Sequence, residues 1–516
     1  MSAIARCAIV AFTLMVLASF GHAEEKVYWD VVEKLMEEAF KNSHVEEDAS
    51  WLVDVFGPRN SKSSGYVAAA EWAKNRLTEY GLDNAHLEPF DFAIGWENKY
   101  TSVHMMAPQY MPIIAYPAAW AKGTNGKIRA KVKPINIDEI ASQEDLDQYK
   151  GKLKGLIIFT RPIQKVAPHF EYMPEVYPEQ ELDEKQRIKM APPEPRERRE
   201  RDERRERLSR EEIYDFLFAE GVAVVVRADG HFGFGIVNAA VDGYAMDRRL
   251  WEADAPPAVT ELVIAAEHYN RMMRIMDKGI EVEMELDVQV EFRKGDPVDY
   301  NVIAEIPGTD LAHEIVVVGA HLQSEPVGTG AIDDAAGCVI AMEAVRILKA
   351  IGAEPRRTIR IGLWGGHEMG TIGNSSHVAR NFADAKTKEY KKDYDNLSAY
   401  FNMDIGAGRT RAVSIMRNEE MRSILLEWMK PLRSIGMTHL YTTGSEHESY
   451  SEVGLPGFYF DQDRRHIDDF NAHTNMDLYE RMVPEGMMQS AVVMATFAYH
   501  AAMRDEKLPR PHPKPW

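Results

Sequence analysis

Residues 313–352 read HEIVVVGAHLQSEPVGTGAIDDAAGCVIAMEAVRILKAIG and contain a strand pattern, a polar loop and a helix pattern. The run EIVVVGA is continuously apolar, which is typical of a strand buried on both faces. After Asp334, Ile340, Ala344, Ile347 and Ile351 form one apolar stripe at helical spacing. This stretch therefore predicts one strand–loop–helix unit of an α/β fold.

Similar strand patterns lie on either side of this unit, with helical stretches between them: NVIAEI, TIRIGLW, AYFNMDI and GFYFD. Alternating strands and helices predict an α/β fold whose mostly parallel or mixed sheet is sandwiched by helices. Ligands of such folds bind outside the carboxyl ends of the strands. Polar residues that follow the strands are therefore the candidates for a functional site.

Two histidines and three carboxylates stand at these positions: His321, Asp333, Glu368, Asp404 and His473. Each alone is more often a helix cap or a hydrogen-bonding residue than a ligand. Together they offer the nitrogen and oxygen donors that suit Zn²⁺, and another divalent metal is not excluded. Five ligands with one shared carboxylate can hold two ions about 3.5–4 Å apart, as in two-metal hydrolases.

Four stretches resemble the M28 metallopeptidases, which are zinc-dependent exopeptidases: GAHLQSEPVGTGAIDDAAG, LWGGHEMGTIG, FNMDIG and AHTNMDLYERM. The resemblance is strongest to the carboxypeptidase Q group and its bacterial relatives. It implies that Asp333 bridges two Zn²⁺ ions, with His321 and Asp404 on one ion and Glu368 and His473 on the other. It also implies a peptide substrate, an inserted protease-associated (PA) domain, and relatives that often form homodimers.

Two positions assigned to catalysis by the resemblance depart from the family pattern. Gln323 stands where the family has an aspartate that orients the first histidine. An amide can still accept a hydrogen bond from the imidazole N–H, but it lacks the negative charge of the aspartate. His367 stands where the family has the general-base glutamate, and three interpretations remain open. The histidine could be a substitute base, an additional metal ligand, or the mark of a relict site without turnover. Glu325 or Glu446 could then supply the missing carboxylate.

The length of 516 residues favours two domains. We expect a signal peptide at 1–23, catalytic-domain segments at 24–109 and 294–516, and a β-rich PA-like insert at 110–293. Within the insert, NGKIRAKVKPI indicates an edge hairpin, and 184–212 is a charged run with many Glu–Arg pairs at i,i+4. These interleaved charges favour an exposed helix or flexible insert over a nucleic-acid-binding arm.

The amino terminus has the three parts of a secretory signal, with Arg6, an apolar run from Cys7 to Phe20, and a small-residue site that predicts cleavage after Ala23. We therefore expect a secreted or periplasmic protein without a membrane span in the mature chain. The net charge of -20 argues against a nucleic-acid partner. The predicted function is an exported zinc exopeptidase of undetermined aminopeptidase, carboxypeptidase or dipeptidase type; the alternative is a non-catalytic binding or scaffold protein.

Overall fold

A computed structural model describes residues 25–510 apart from 167–175, 177, 188–206, 230–232, 242, 416–417, 442–447 and 464–471. The predicted signal peptide, Glu446 and most of the charged run at 184–212 lie outside the described residues. Within the described ranges no helix combines the length and apolar character needed to cross a membrane.

The strands are β1 (Asp83–Asp91), β2 (Gly95–Ala107), β3 (Met111–Pro112), β4 (Ala115–Pro117), β5 (Ile128–Pro134), β6 (Ile157–Phe159), β7 (Val224–Asp229), β8 (Glu261–Ala265), β9 (Glu283–Arg293), β10 (Val298–Ile306), β11 (Leu311–His321), β12 (Arg357–Trp364), β13 (Ala383–Asp384), β14 (Glu389–Tyr390), β15 (Leu397–Asn402), β16 (Thr410–Ser414), β17 (His439–Tyr441) and β18 (Gly457–Gln462). The α-helices are α1 (Trp29–Lys41), α2 (Val45–Ser50), α3 (Ser64–Glu79), α4 (Gln143–Asp147), α5 (Glu179–Arg187), α6 (Arg210–Ala219), α7 (Gly243–Arg248), α8 (Ala266–Met276), α9 (Ala336–Ala350), α10 (Ile372–Asn381), α11 (Arg422–Trp428), α12 (Glu448–Glu452) and α13 (Pro484–Met503).

The first sheet has the strand order β1-β10-β12-β11-β15-β18-β16-β17. Its central strands β12, β11, β15 and β18 are parallel, whereas β10 pairs antiparallel with β1 and β12, and β16 pairs antiparallel with β18. The predicted mixed α/β sheet is thus confirmed. Because β12, β11 and β15 are parallel neighbours, their carboxyl ends meet at one edge of the sheet.

Helices cover both faces of this sheet. In β11, Val316 and Val318 belong to the core that contains α9 and α13, while Ile315 and Val317 on the other face belong to the cluster that contains Val378 of α10. Successive side chains of a strand point to opposite faces, so an uninterrupted apolar run is the pattern of a strand buried on both sides. The run EIVVVGA is continuously apolar because β11 is covered by helices on both faces.

Helix α9 is more buried than its sequence pattern predicts. Every residue from Ala336 to Leu348 is buried, because the helix lies between the sheet and the outer helices α1 and α13. A helix enclosed on all sides needs no polar face. Its two charged residues in this range, Glu343 and Arg346, pair with each other at 2.6 Å.

The second sheet has the order β3-β2-β9-β5-β6-β7-β8-β4, and all its strands lie between Gly95 and Arg293. Strand β5 pairs with β9 on one side and with β6 on the other, so the edge hairpin predicted for NGKIRAKVKPI is wrong. Strand β2 belongs to this sheet although it precedes residue 110. The domain boundaries and the PA-like character of the insert stay predictions.

The two sheets are joined by contacts that reach the carboxyl edge of the first sheet. Met369, in the turn after β12, packs in one cluster with Phe90, Phe92 and the buried indoles of Trp96 and Trp120. At the far edge of the first sheet, helix α5 contacts β16 and β17: Glu179 pairs with Arg411, and the Gln186 side chain accepts a hydrogen bond from the Leu440 N–H at 3.0 Å. Leu182 is buried in the same contact against Ala412.

Candidate metal centre

The five predicted ligands come from separate loops at one edge of the first sheet. His321 is the last residue of β11, Glu368 lies in the turn after β12, and Asp404 follows β15. Asp333 lies in the loop between β11 and α9, and His473 in the loop before α13. The parallel arrangement of the three strands explains why residues far apart in the sequence converge here.

The donor atoms of these residues face one another at short distances. His321 Nε2 lies 3.0 Å from Asp333 Oδ1 and 3.2 Å from Asp404 Oδ1. His473 Nε2 lies 2.9 Å from Asp333 Oδ2 and 3.2 Å from Glu368 Oε1. The two oxygens of Asp333 therefore face two different imidazoles, which is the arrangement expected of a carboxylate shared by two ions.

The accessibility of the cluster is uneven. The side chains of His321, Asp333 and Asp404 are at most 4% exposed, whereas that of His473 is 37% exposed. Solvent and a substrate can therefore approach from the side of His473 and Glu368.

The tautomer of His321 favours a cation at Nε2. Its Nδ1–H donates to the backbone oxygen of Gln323 at 2.5 Å, so the Nε2 lone pair faces the carboxylates of Asp333 and Asp404. Lone pairs this close repel each other unless a proton or a cation lies between them. Without a metal, burial lowers the pKa of His321, but the charges of Asp404 and Asp333 outweigh burial and raise that pKa well above its usual value.

The cluster as a whole fits zinc. It combines imidazole nitrogens with carboxylate oxygens, and tetrahedral zinc places such donors about 3.3–3.6 Å from one another when each lies about 2.0–2.2 Å from the ion. The observed separations are close to that range. Among the residues that the structure describes, none gives the buried Glu368 Oε1 a well-formed hydrogen bond, and His473 Nε2 faces it at 3.2 Å, so this oxygen is available to a cation.

Gln323 differs from the expectation that its amide would orient His321. Its side-chain Oε1 instead accepts a hydrogen bond from the Glu368 N–H at 2.8 Å, and its Nε2 donates to the Ser324 backbone oxygen at 2.7 Å. The backbone carbonyl of Gln323, rather than the side chain, fixes the His321 ring. A residue two positions after a strand end can turn either way, and the sequence alone does not specify which.

His367 lies in the site, beside His321. The two imidazole rings are stacked with centroids 4.0 Å apart and planes within 5° of parallel, and His367 Nε2 lies 3.4 Å from Asp404 Oδ2. Burial lowers the pKa of His367, and the neighbouring His321 lowers it further, so the ring is neutral near pH 7.

Asp334 supports the site although it is not one of the proposed ligands. Its Oδ1 accepts from the Gly337 N–H at 3.0 Å and its Oδ2 from the His321 N–H at 3.1 Å. The carboxylate therefore links the start of α9 to the end of β11, which fixes the loop that carries Asp333.

Glu325 is a further buried carboxyl at the centre. One of its oxygens accepts from the Val241 N–H at 2.6 Å, and it forms a potential metal-binding group with Glu368 and His473, whose donor atoms all lie within 4.8 Å of one another. Burial and the charge of Glu368 raise its pKa well above the usual value. Val241 belongs to the second sheet's part of the chain, so that part forms one wall of the site.

Sequence reasoning did not find Arg59. This buried guanidinium donates to the backbone oxygens of Leu322 at 2.9 Å, Thr329 at 2.9 Å and Gly330 at 2.8 Å. It thereby holds both ends of the loop between His321 and Asp333. An arginine more than 260 positions away from that loop gives no local signal of this contact.

Comparison with known proteins agrees with this geometry. Residues 301–498 match the model of Peptidase family M28. Carboxypeptidase Q of Homo sapiens is 25% identical over 511 residues, which cover 98% of this chain and 92% of that protein. Aminopeptidase YwaD of Bacillus subtilis (strain 168) is 28% identical over 218 residues, 40% of this chain and 46% of that protein.

Solved structures show the same fold. The Peptidase M28 precursor from Shewanella amazonensis SB2B aligns with a TM-score of 0.66 at 21% identity and covers 94% of this chain and 98% of that chain. BSAP, a zinc aminopeptidase from Bacillus subtilis, aligns with a TM-score of 0.57 at 16% identity, with coverages of 91% and 97%.

Taken with these comparisons, the mixed α/β sheet and the histidine–carboxylate cluster at its carboxyl edge indicate a peptide-bond hydrolase of the metallopeptidase class. The chain contains a region, 301–498, that matches Peptidase family M28, and over nearly its full length it is related to carboxypeptidase Q.

Proposed function

We propose that this chain is an exported exopeptidase that uses two zinc ions to hydrolyse the terminal bond of a peptide or the bond of a dipeptide. The observation that carries the proposal is the position of Asp333 between His321 and His473, with one oxygen 3.0 Å and the other 2.9 Å from the facing nitrogens. A shared carboxylate is the feature that places two ions about 3.5–4 Å apart.

The proposed ligand sets are His321, Asp333 and Asp404 for the first ion, and Asp333, Glu368 and His473 for the second. Bound zinc would acidify a water molecule and polarise the substrate carbonyl. The Gln323 carbonyl holds the His321 proton on Nδ1 and so directs Nε2 towards the carboxylates, and the Gln323 side-chain amide positions the backbone of Glu368. The side chains of this chain thereby keep both ligand sets in place before a substrate arrives.

Proton transfer is assigned to Glu325. Position 367, where the family has its general base, carries an imidazole that would become a cation beside two dications when it accepts a proton. A carboxyl group becomes neutral instead. Glu325 is buried next to Glu368 and His473, and the Val241 N–H fixes one of its oxygens, so the other oxygen is suited to hold the proton.

A second candidate function is a non-catalytic protein that keeps the fold and the metal for binding or as a scaffold. The observation in its favour is the imidazole at position 367, which stacks on His321 in place of a carboxylate. Zinc binding is common to both functions, whereas turnover distinguishes them.

The test uses protein that starts at Glu24, stripped of metal and titrated with zinc, on dipeptides and on peptides blocked at either end. We expect release of one terminal residue that a chelator abolishes and zinc restores. Asp333→Asn should abolish both zinc binding and hydrolysis, and the exposed Asp310→Asn should change neither. Two bound zinc ions without hydrolysis of any peptide would overturn the proposal, and turnover gained only in His367→Glu would support the scaffold.

Export and assembly are separate parts of the proposal. The sequence pattern before Glu24 supports secretion, and amino-terminal sequencing of the protein from the medium or periplasm should find Glu24 as its first residue. A homodimer, suggested by the resemblance, is tested by sedimentation of the same material.

A further inference from the structure

We propose that His367 is an additional ligand of the first zinc ion, so that the loss of the family's glutamate changes the metal site itself. The inference rests on the zinc centre proposed above. It chooses one of the three interpretations that the sequence leaves open for this residue.

The geometry places His367 on the side of one ion. Asp404 presents Oδ1 to His321 Nε2 at 3.2 Å and Oδ2 to His367 Nε2 at 3.4 Å. His321, His367 and Asp404 form a potential metal-binding group, with donor atoms all within 4.8 Å of one another. Separations near 3.3 Å are about those between two donors on one tetrahedral zinc ion.

The two rings also lie next to each other at the same end of the site. With ring planes within 5° of parallel and centroids 4.0 Å apart, the two imidazoles have a common orientation towards Asp404. This arrangement brings two nitrogen donors to one place. Because imidazole lone pairs lie in the ring plane, the two planes would have to tilt towards each other for both nitrogens to bind one cation beside Asp404.

The turn that contains His367 does not need the imidazole. Its backbone oxygen accepts from the N–H groups of Gly370 at 2.8 Å and Thr371 at 2.7 Å, and these bonds form with any side chain. A purely structural turn residue is therefore a weaker explanation of why the ring is directed at Asp404. Together with Asp333, the first ion would have two imidazoles and two carboxylates, a set that favours zinc over Mg²⁺ or Ca²⁺.

The consequence is a difference between the two ions. Four protein donors close a tetrahedral site, whereas a catalytic zinc keeps an open position. The first ion would be held more tightly and have less room for water. The second ion, on the exposed side of His473, would keep the position for the reacting water.

The test counts imidazoles at bound zinc by X-ray absorption, with no need for turnover. The protein loaded with two zinc ions should show three imidazoles over both ions, and His367→Gln should show two. In chelator competition, His367→Gln should lose affinity for one ion by more than about tenfold, at least the size of the loss caused by removing an outer hydrogen-bond partner. His313→Gln, at the exposed start of β11, is the matched control and should lose nothing.

The outcomes separate this inference from the proposed function. An unchanged imidazole count and affinity in His367→Gln, with two zinc ions bound, would overturn the inference and leave the two-zinc peptidase intact. A wild-type protein that binds no zinc would overturn both. Circular dichroism of each variant shows whether it is folded, and the folded fraction alone is loaded and measured.

Discussion

The side-chain oxygen of Gln323 accepts a hydrogen bond from the backbone N–H of Glu368 at 2.8 Å. A residue just beyond the end of β11 thus fixes the backbone of a proposed metal ligand just beyond the end of β12. This bond crosses between the ends of β11 and β12. It connects the two proposed ligand sets through the protein, because Gln323 follows His321 at the end of β11 and Glu368 follows the end of β12.

Replacement of Gln323 by alanine should therefore weaken the binding of the second zinc ion. We expect an affinity loss of about 10–100-fold at the site of Glu368 and His473, as for other outer hydrogen-bond partners of ligands. His321 should be unaffected, since the Gln323 backbone carbonyl remains. Zinc competition with a chelator measures both sites, and the exposed Gln289→Ala serves as control. A loss confined to the first ion would show that the side chain orients His321 after all.

Glu325→Gln should separate metal binding from turnover. The amide keeps the size of the side chain and can still accept the Val241 N–H, but it cannot accept a proton. We expect kcat to fall by about 10²–10⁴-fold, the usual contribution of general-base assistance, while the zinc content stays at the wild-type value. The exposed Glu354→Gln is the control. Full activity in Glu325→Gln, together with activity lost in His367→Ala, would assign the base to His367.

Asp299 makes the stability of the protein depend on pH. Burial raises its pKa to about 7, although the Lys62 N–H donates to it at 2.7 Å. The folded pKa exceeds the unfolded value of 3.8, so the stabilisation is complete below about pH 4 and is lost as the pH rises through 7. The loss is about 4 kcal/mol at most.

Urea unfolding of metal-free protein between pH 4 and pH 8 measures this effect. Asp299→Asn should remove the part of the decline that Asp299 causes, because an amide cannot ionise, while Asp477 and Asp48, whose pKa burial raises to about 7 and about 6, keep their parts. The exposed Asp310→Asn should leave the wild-type decline in place. Identical pH profiles for wild type and Asp299→Asn would show that the buried carboxyl is not the source.

The sequence predicts the sheet and its ligands because both follow from short-range patterns. Continuous apolar runs mark strands buried on two faces, and parallel strands must end at one edge, so His321, Glu368 and Asp404 had to lie near one another. The position of β5 inside the second sheet was not predictable in this way. Its alternation of apolar and charged residues fits an edge as well as an interior strand with one solvated face.

Contacts between distant segments account for what the sequence did not reveal. The direction of the Gln323 side chain depends on the position of the Glu368 N–H, which lies in the turn after another strand. The enclosure of α9 depends on α1 and α13, which come from opposite ends of the chain. Neither relationship has a local pattern, and both affect the site.

Arg59→Leu tests the strongest of these distant contacts. The guanidinium is fully buried and donates to four backbone oxygens, including that of Leu52 at 2.9 Å, so its removal leaves several buried carbonyls without a donor. We expect unfolding free energy to fall by at least about 3 kcal/mol. Zinc affinity should fall as well, because the loop from Leu322 to Gly330 separates two ligands.

Urea unfolding with and without zinc measures both effects. The control is Arg129→Leu, whose partner Glu283 lies at the surface. It should change the free energy of unfolding and the free energy of zinc binding by less than about 1 kcal/mol each. A stable Arg59→Leu protein with wild-type zinc affinity would show that the loop keeps its shape without the guanidinium.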